Sequence, residues 1–382
     1  MNSKYRIAGL FLGLVFIVSW ILPLNIALGL DDVRVVFPRA KELSGEDVYL
    51  HIAEKLGFAK EEGIRFSGWE SAIGALDNLK MIATGQAEIS YPSSYVIITG
   101  VSQQVPVKMV YDTLQKQIFI FGVRPDSPIK SIQDLKGKKV SVGTAGWTVI
   151  AAPLLKKAGI KVEDIEWVVA GESRAIVGWE GKVDAVFTWE MEYQNCAHRG
   201  MNFRVEGLGG TDYLDYQSNG LAASNKLIQE NPDLIQRVCK AAAKGAWFSI
   251  CNPYAAADIA LHTFPGTTPD TYSGMVAVVK ALNNLMFANW TPEKGLGWHN
   301  LQFWQNQIDD MYEFGTITTK IKAEDVVTNQ FIKAANDFDH ERIRSLAIGY
   351  QVSDKFKDDF QRILADEGKG ANLDGNTLDY YK

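Results

Sequence analysis

The chain has 382 residues, of which 47% are hydrophobic, 11% aromatic and 22% charged, a balance typical of soluble globular proteins. This composition disfavours disordered, collagen-like and multi-span membrane proteins, and the length allows two or three domains with cores of their own. The net charge of −6 argues against a nucleic-acid-binding protein, because phosphate contacts require clustered lysine and arginine.

The N-terminal segment differs in chemistry from the rest of the chain. Two basic residues precede an apolar run, 7–22, which ends at Pro23 and leads to small residues. We predict a secretory signal peptide over residues 1–29, cleaved after Gly29, so that the mature protein is periplasmic or extracellular. The alternative is an uncleaved membrane anchor, because residues 7–30 could nearly span a bilayer.

After residue 31 the sequence alternates between strand and helix patterns. The predicted strands are 32–37, 63–66, 88–91 and 107–111, and the predicted helices are 46–57 and 71–84, the second capped by Ser71. Strands that alternate with helices pair in parallel through right-handed connections. In such sheets ligands bind beyond the carboxyl ends of the strands, so the loops that follow strands are the candidate binding segments.

A second α/β unit begins after the predicted strand 118–123. Its predicted elements are strands 139–142, 166–169 and 185–188, with a helix after Trp147 and another at 175–179. The pattern becomes mainly helical after Gly220. The simplest organisation inserts one unit into the other, so that residues 30–121 and 217–382 form lobe 1 and residues 122–216 form lobe 2.

The three cysteines do not form a disulfide framework. Cys239 lies within a predicted helix and Cys251 follows its end, so about 18 Å of helix separates them, beyond the roughly 7 Å limit for a disulfide. We predict that both are small buried residues, as free cysteine packs readily as a hydrophobe. Pairing of Cys196 with either one stays open at the level of sequence.

Several fragments, taken together in order and spacing, resemble one known family. The most specific are Ser127-Pro128-Ile129, the run 134–140 (DLKGKKV) and the run 181–185 (GKVDA) before Trp189-Glu190. In this order they resemble the ABC-importer substrate-binding proteins of the nitrate, sulfonate, taurine and thiamine-pyrimidine branch, over about residues 33–264. Each fragment alone is weak evidence, since DLKGKKV describes only a turn that leads into a strand.

The resemblance implies a type II periplasmic binding fold, in which two α/β lobes joined by two hinge crossings close on a ligand in the cleft between them. From the pattern we place the crossings near 121–123 and 216–220. The implied function is capture of a small molecule and its delivery to an ABC permease and ATPase by a monomeric protein. A sensory module that signals through its closed form is an alternative that the sequence does not separate from transport.

The candidate ligand-binding residues lie in the predicted loops after strands. They are Trp69, Glu70, Ser71, Tyr91, Ser93, Trp147, Thr148, Arg174, Trp189 and Glu190. Tryptophan and tyrosine on such loops favour stacking on a flat or cationic ligand, and a carboxylate at Glu190 suits an amine or another N–H donor. The alternative for each aromatic residue is local core packing, and for Glu190 a solvated surface carboxylate.

An anionic ligand such as a sulfonate, taurine or nitrate is the second hypothesis. Predicted helix N-termini at Ser71 and Thr148 could hold an anion, and Arg174 or Arg39 could add a bidentate contact. The same loops carry at least as many acidic as basic residues, which favours an aromatic or nitrogen-bearing organic solute.

We predict no enzymatic activity, no cofactor and no metal. His51 and Glu54 are spaced one residue short of the zinc-binding HExxH arrangement, and the five histidines are scattered along the chain. A fungal pyrimidine synthase has a related fold, but its cysteine-rich signature is missing from this sequence.

Overall fold

A computed structural model describes residues 29–37, 46–71, 76–211, 213–263 and 270–367 of the chain. Residues 1–28 of the predicted signal peptide and the candidate residue Arg39 lie outside these ranges. The described residues form two β-sheets with flanking helices and a largely helical C-terminal part. No helix among them is long and apolar enough to cross a membrane.

The first sheet has five strands. They are β1 Asp31–Phe37, β2 Ile64–Ser71, β3 Ile89–Ser90, β4 Val107–Asp112 and, from later in the chain, β9 Gly220–Ser224. Their spatial order is β2-β1-β3-β9-β4. β1 pairs in parallel with β2 and β3, as the alternating pattern predicts, but β9 runs antiparallel to β3 and β4. The difference arises because β9 enters from the second sheet and not through a helical crossover.

The second sheet has four strands, in the spatial order β5-β8-β6-β7. They are β5 Phe119–Gly122, β6 Lys139–Val142, β7 Glu166–Val169 and β8 Ala185–Trp189. β6 is parallel to β7 and β8, whereas β5 is antiparallel to β8. The segment around 204–209 lies along the other edge of β5 through bridges of Val123 with Arg204 and of Ile120 with Gly209, which covers that edge.

The helices flank both sheets and then dominate the C-terminal part. Around the first sheet are α1 Val48–Lys55, α2 Phe58–Glu61, α3 Asp77–Ala83 and α4 Ser94–Ser102. Around the second are α5 Thr148–Lys157, α6 Arg174–Trp179 and α7 Glu190–His198. The remaining helices are α8 Asn225–Glu230, α9 Pro232–Cys251, α10 Pro253–Thr263, α11 Tyr272–Phe287, α12 Leu301–Glu313, α13 Ala323–Val326, α14 Ile332–Ala335, α15 His340–Ile348 and α16 Lys357–Asp366.

Helix α9 is the centre of the C-terminal part, where it contacts α1, α2, α10, α11, α14 and α15. Gly245 allows its closest approach to α1, since a Cβ at that position would lie 2.0 Å from the carbonyl oxygen of Tyr49. Cys239 and Cys251 both lie on α9, and all three cysteines are buried and free, as predicted for the pair on the helix. The apolar residues of α12, such as Trp304 and Ile308, are fully buried.

Two sequence predictions differ from the observed elements. The predicted helix 71–84 with Ser71 as its cap is wrong at its start, because Ser71 ends β2, paired with Phe37 of β1, and α3 begins only at Asp77. Strand pairing with β1 extends β2 and outweighs the local helical pattern. The predicted lobe boundary between residues 121 and 122 falls inside β5, all of which pairs with β8, so the chain passes between the sheets at 113–118.

Candidate functional site

Two adjacent chain segments connect the sheets. One is 113–118, between β4 and β5, and the other leads from α7 back to β9. The backbone amides of Thr113 and Leu114 both donate to the carbonyl of Asn219, at 3.1 and 2.9 Å, and the amide of Ser218 donates to the carbonyl of Leu114 at 2.8 Å. The two connections therefore run side by side, which is the geometry of a double hinge.

The strand directions place carboxyl ends of both sheets at this connection. Because β9 is antiparallel to both β3 and β4, strands β1 to β4 all point toward the edge from which the chain leaves the first sheet. Because β8 is antiparallel to β5 and parallel to β6, strands β6 to β8 end at the edge where the chain enters the second sheet. Both sets of strand ends border the connecting segments, where a ligand cleft is expected in this class of sheet.

Three neighbouring strands of the second sheet each lead to one side chain of a compact cluster. Trp147 lies in the turn after β6, Arg174 begins the helix after β7, and Trp189 is the last residue of β8. The two indole rings meet edge to face, with centroids 5.7 Å apart. The guanidinium carbon of Arg174 lies 5.1 Å from the Trp147 ring centroid and 4.9 Å from that of Trp189. We call these three residues the indole–arginine cluster.

Arg174 is held firmly within this cluster, with only 1% of its surface exposed. Its Nε donates to the hydroxyl of Thr188 at 3.2 Å, and its Nη1 donates to the carbonyl of Gly171 at 3.1 Å. Its charge faces two carboxylates, Glu172 at 3.3 Å and Glu192 at 3.7 Å. Burial raises the pKa of Glu192, and the positive charge of Arg174 opposes that rise. Arg174 is thus buried in this structure, whereas the bidentate anion contact considered from the sequence needs access to its guanidinium group.

Glu190 and Thr148 lie at helix starts beside this cluster. Glu190 begins α7, where its amide donates to the carbonyl of Ile118 at 3.0 Å and its half-buried carboxylate accepts the amide of Thr211, also at 3.0 Å. Glu190 therefore ties the connecting segment before β5 and the returning segment to α7. Thr148 begins α5, and its hydroxyl donates to the carbonyl of Ala145 at 2.9 Å.

The first sheet carries an aromatic group at its own strand ends. The ring of Trp69 stacks on Phe37 at 6.0 Å and lies 4.1 Å from the ring of His51. The fully buried Tyr91 contacts the other side of this group, 5.9 Å from Phe37. Trp69 is half-buried, so part of its ring stays accessible, whereas Tyr91 is part of the core.

The remaining candidates of the first sheet differ in exposure. Glu70 is exposed near the end of β2, and Ser71 is the last residue of that strand. Ser93 precedes α4 in extended conformation and is buried. The predicted site residues therefore form two groups, one at the strand ends of each sheet.

Next to the double hinge, Tyr95 joins the two parts of the molecule. Its ring contacts Phe119 of β5 at 6.0 Å and Tyr216 of the returning segment at 6.4 Å, both edge to face. The Tyr216 hydroxyl donates to the carboxylate of Asp310 on α12. Burial raises the pKa of Tyr95, so this phenol stays neutral. Any relative movement of the lobes must rearrange this group.

The sequence analysis missed the polar side of α12. Gln307 donates its side-chain amide to the hydroxyl of Ser94 at the start of α4, at 2.8 Å. Asp310 accepts from Tyr216, and Glu313 accepts from Lys156 of α5 at 2.9 Å. Gln307, Asp310 and Glu313 follow one another at intervals of three residues, and this spacing could have predicted one polar face of the helix. The buried apolar stripe on the same helix dominated the sequence pattern.

The chemistry of these groups suits recognition of a ligand. Aromatic rings can stack on a flat molecule, and neighbouring carboxylates can hydrogen-bond to its edge. Within the part of the chain that the structure describes, no three histidine, cysteine, aspartate or glutamate side chains are grouped to hold a metal ion.

Comparison with known proteins agrees with this architecture. The family model described as "NMT1/THI5 like" matches residues 48–256. The riboflavin-binding protein RibY of Chloroflexus aurantiacus is 23% identical over 287 residues, which cover 74% of this chain and 81% of that protein.

Solved structures extend the likeness to the fold. The periplasmic aliphatic sulphonate binding protein SsuA of Escherichia coli superposes with a TM-score of 0.59 at 18% identity, covering 78% of this chain and 92% of SsuA. The desulfurization enzyme DSZB superposes with a TM-score of 0.53 at 14% identity, covering 80% of this chain and 98% of the enzyme. The predicted fold class, that of the periplasmic binding proteins, is confirmed.

Proposed function

Because the chain belongs to the NMT1/THI5-like family, we propose that it is an extracytoplasmic solute-binding protein that captures a small organic molecule by lobe closure. The sequence relative RibY and the structural relative SsuA both carry names of solute-binding proteins, which supports this proposal. DSZB has the same fold and is an enzyme, so fold alone does not decide the matter. The non-enzymatic function is favoured because the candidate groups offer stacking surfaces and fixed charges.

The indole–arginine cluster is the observation on which we base the proposed class of ligand. Two half-buried indoles beside the double hinge present apolar faces, and a third indole, Trp69, lies at the strand ends of the other sheet. Such a site suits a flat aromatic or heteroaromatic solute whose rings are stacked when the lobes close. Riboflavin, the ligand in the name of RibY, has a ring system of this kind and is our first candidate.

The proposal includes a location and partners. Residues 1–29 act as a secretory signal peptide, or as an anchor if they are not cleaved, and the protein works as a monomer in the periplasm or outside the cell. The closed form is recognised by an ABC permease, whose ATPase drives import. Closure needs no covalent chemistry, because ligand binding shifts the population of the lobes toward the closed arrangement.

A thermal-shift panel on the exported protein tests the proposal. The panel contains riboflavin, thiamine pyrimidines, aromatic acids, polyamines, taurine, alkyl sulfonates and nitrate. A ligand at 100 times its dissociation constant stabilises the folded state by about 2.7 kcal/mol, which raises the melting temperature visibly. A rise with ring compounds supports the proposal. A rise confined to sulfonates or nitrate would keep the solute-binding function and overturn the aromatic ligand class, and no rise with any member would count against both.

A further inference from the structure

Arg174 occupies an unusual position for a cation beside a ligand cleft. The side chain is buried against two indole rings, 5.1 and 4.9 Å from their centroids, with only 1% of its surface exposed. A ligand that enters between the lobes would meet the indoles, because they are only half-buried, before it reached the guanidinium group. Direct ligand contact is therefore a poor explanation for this arginine.

The contacts of Arg174 fix the plane of its guanidinium group. Thr188 of β8 accepts from Nε, Gly171 in the turn before α6 accepts from Nη1, and Glu192 of α7 lies 3.7 Å from Nη2. These partners lie on a strand, in a turn and on a helix, so three separate elements of the second sheet's unit together set the orientation of the guanidinium group. A lysine could carry the charge but not the planar fork that makes these contacts together.

Both indoles contact that guanidinium group, and Trp147 has little other support. Trp147 lies in the exposed turn after β6, where residues 144–146 are all exposed, and its ring rests on the backbone of Gly143. A Cβ at Gly143 would lie 3.0 Å from that ring, so the indole packs directly against the chain on one side. The same ring contacts Trp189 and the guanidinium of Arg174.

We propose that Arg174 is a positioning residue, which holds Trp147 and Trp189 by simultaneous cation–π contacts so that the accessible parts of these half-buried rings accept the ring system of the ligand. The attraction of a guanidinium for an indole face strengthens when water is excluded, as it is around this buried group. The role in ligand binding rests on the proposed function, whereas the effect on the indole pair does not. Arg174 would thereby determine how well the site accepts flat ligands without touching them.

Arg174→Lys tests the proposal, with Arg65→Lys as the matched control. Arg65 makes an exposed ion pair with Asp32 at the first sheet, away from the indoles. The ligand-free readout is the circular-dichroism signal of the coupled indoles, assigned by its loss in Trp147→Phe. The binding readout is the dissociation constant for riboflavin or another panel ligand that stabilises the protein. We expect Arg174→Lys to lose the coupled signal and to weaken binding at least tenfold, while Arg65→Lys changes neither.

A second variant distinguishes a loss of positioning from a loss of folding. Thr188→Val removes the acceptor of Nε and leaves every charge in place, and we expect a smaller change in the same direction for both readouts. A coupled signal that persists in Arg174→Lys overturns the positioning role, and weaker binding in that case would mean that Arg174 contacts the ligand itself. If no panel ligand binds the wild-type protein, the proposed function fails, and loss or persistence of the coupled signal still decides whether Arg174 orients the indoles.

Discussion

Lys156 and Glu313 join the second sheet's helix α5 to the C-terminal end of α12, with Nζ and Oε1 2.9 Å apart. The same ammonium lies 3.6 Å from the centroid of the Phe314 ring, so one lysine makes an ion pair and a cation–π contact at once. Since α12 also holds Ser94 through Gln307, it is bonded to elements of both sheets. This contact stabilises the arrangement of the lobes that the structure shows.

The first prediction concerns this contact between the lobes. Lys156→Met should shift the ligand-free protein toward a more open arrangement, because an exposed ion pair and a cation–π contact each contribute about 0.5–1 kcal/mol. We expect a larger radius of gyration in small-angle scattering and ligand binding weakened by roughly twofold to tenfold. Lys136→Met, which breaks a pair with Asp164 inside the second unit, is the matched control and should change neither. Unchanged scattering and affinity in Lys156→Met would contradict the prediction.

The second prediction concerns Trp189. Trp189→Ala removes one stacking face and one partner of Arg174, and it should weaken binding of a ring ligand at least tenfold. Trp189→Phe keeps an aromatic face and should recover part of the affinity. Titration calorimetry measures both, and melting temperature checks that the variants are folded. If both variants bind the ligand with wild-type affinity, Trp189 does not contact it.

The third prediction separates the two functions of Glu190. Glu190→Gln keeps a side-chain oxygen that can accept the Thr211 amide, so the unfolding temperature should change little. If the charge of Glu190 meets an N–H donor of the ligand, the affinity should fall by about 1.5–3 kcal/mol, the usual size of a charge-assisted contact. Glu190→Ala, which also removes the acceptor for Thr211, should lower both affinity and stability. Full affinity in Glu190→Gln would leave Glu190 with the structural contact alone.

The fourth prediction concerns a buried pair beside the first connection. Asp112 and His299 are both fully buried, 3.6 Å apart. Burial raises the pKa of Asp112 well above its usual range, a rise that the nearby Trp304 side chain opposes, and burial lowers the pKa of His299 to about 3. Burial therefore favours the neutral form of both side chains.

The direction in which Asp112 makes stability depend on pH follows from its raised pKa. The stability that its protonated form contributes is fully present below the unfolded pKa of about 4 and is lost as pH rises toward the higher native pKa. Asp112→Asn imitates the protonated acid, so its unfolding free energy relative to that of wild type should rise with pH, by up to about 1.4 kcal/mol for each pH unit between the unfolded pKa of about 4 and the native pKa. Urea unfolding at pH 5, 6.5 and 8 measures this. A difference that stays constant with pH would mean that Asp112 is ionised in the folded protein.

Much of the fold followed from short local patterns. β6 and β7 are observed at their predicted bounds, because each is a compact run rich in valine between turn residues. Strand β5 was predicted, at 118–123, but its antiparallel direction was not, and β9 was not predicted as a strand. The direction of both strands depends on the connections between the sheets and not on their own residues. Ser71 was misplaced for a related reason, as its strand is extended by pairing with β1.

For the candidate site, the positions of the residues at strand ends were predictable from the sequence, and their mutual contacts were not. The sequence placed Trp147, Arg174 and Trp189 after three strands of one unit, and the ends of parallel strands meet at one edge. That the arginine would be buried against both indoles depends on distances that no local pattern contains. The contacts of α12 were missed because their partners lie far away in the sequence, in α4, α5 and the returning segment.

The position of β9 between β3 and β4 imposes an order of assembly. A chain that emerges from a ribosome or a translocon has delivered every strand of the second sheet before β9 arrives, while β3 and β4 still lack their common neighbour. The inserted unit can thus complete its hydrogen bonds first, and the unit that begins the chain must wait with two strand edges open. This interval is the period of greatest risk of aggregation, and a folding chaperone would act most usefully on the strands of the first sheet.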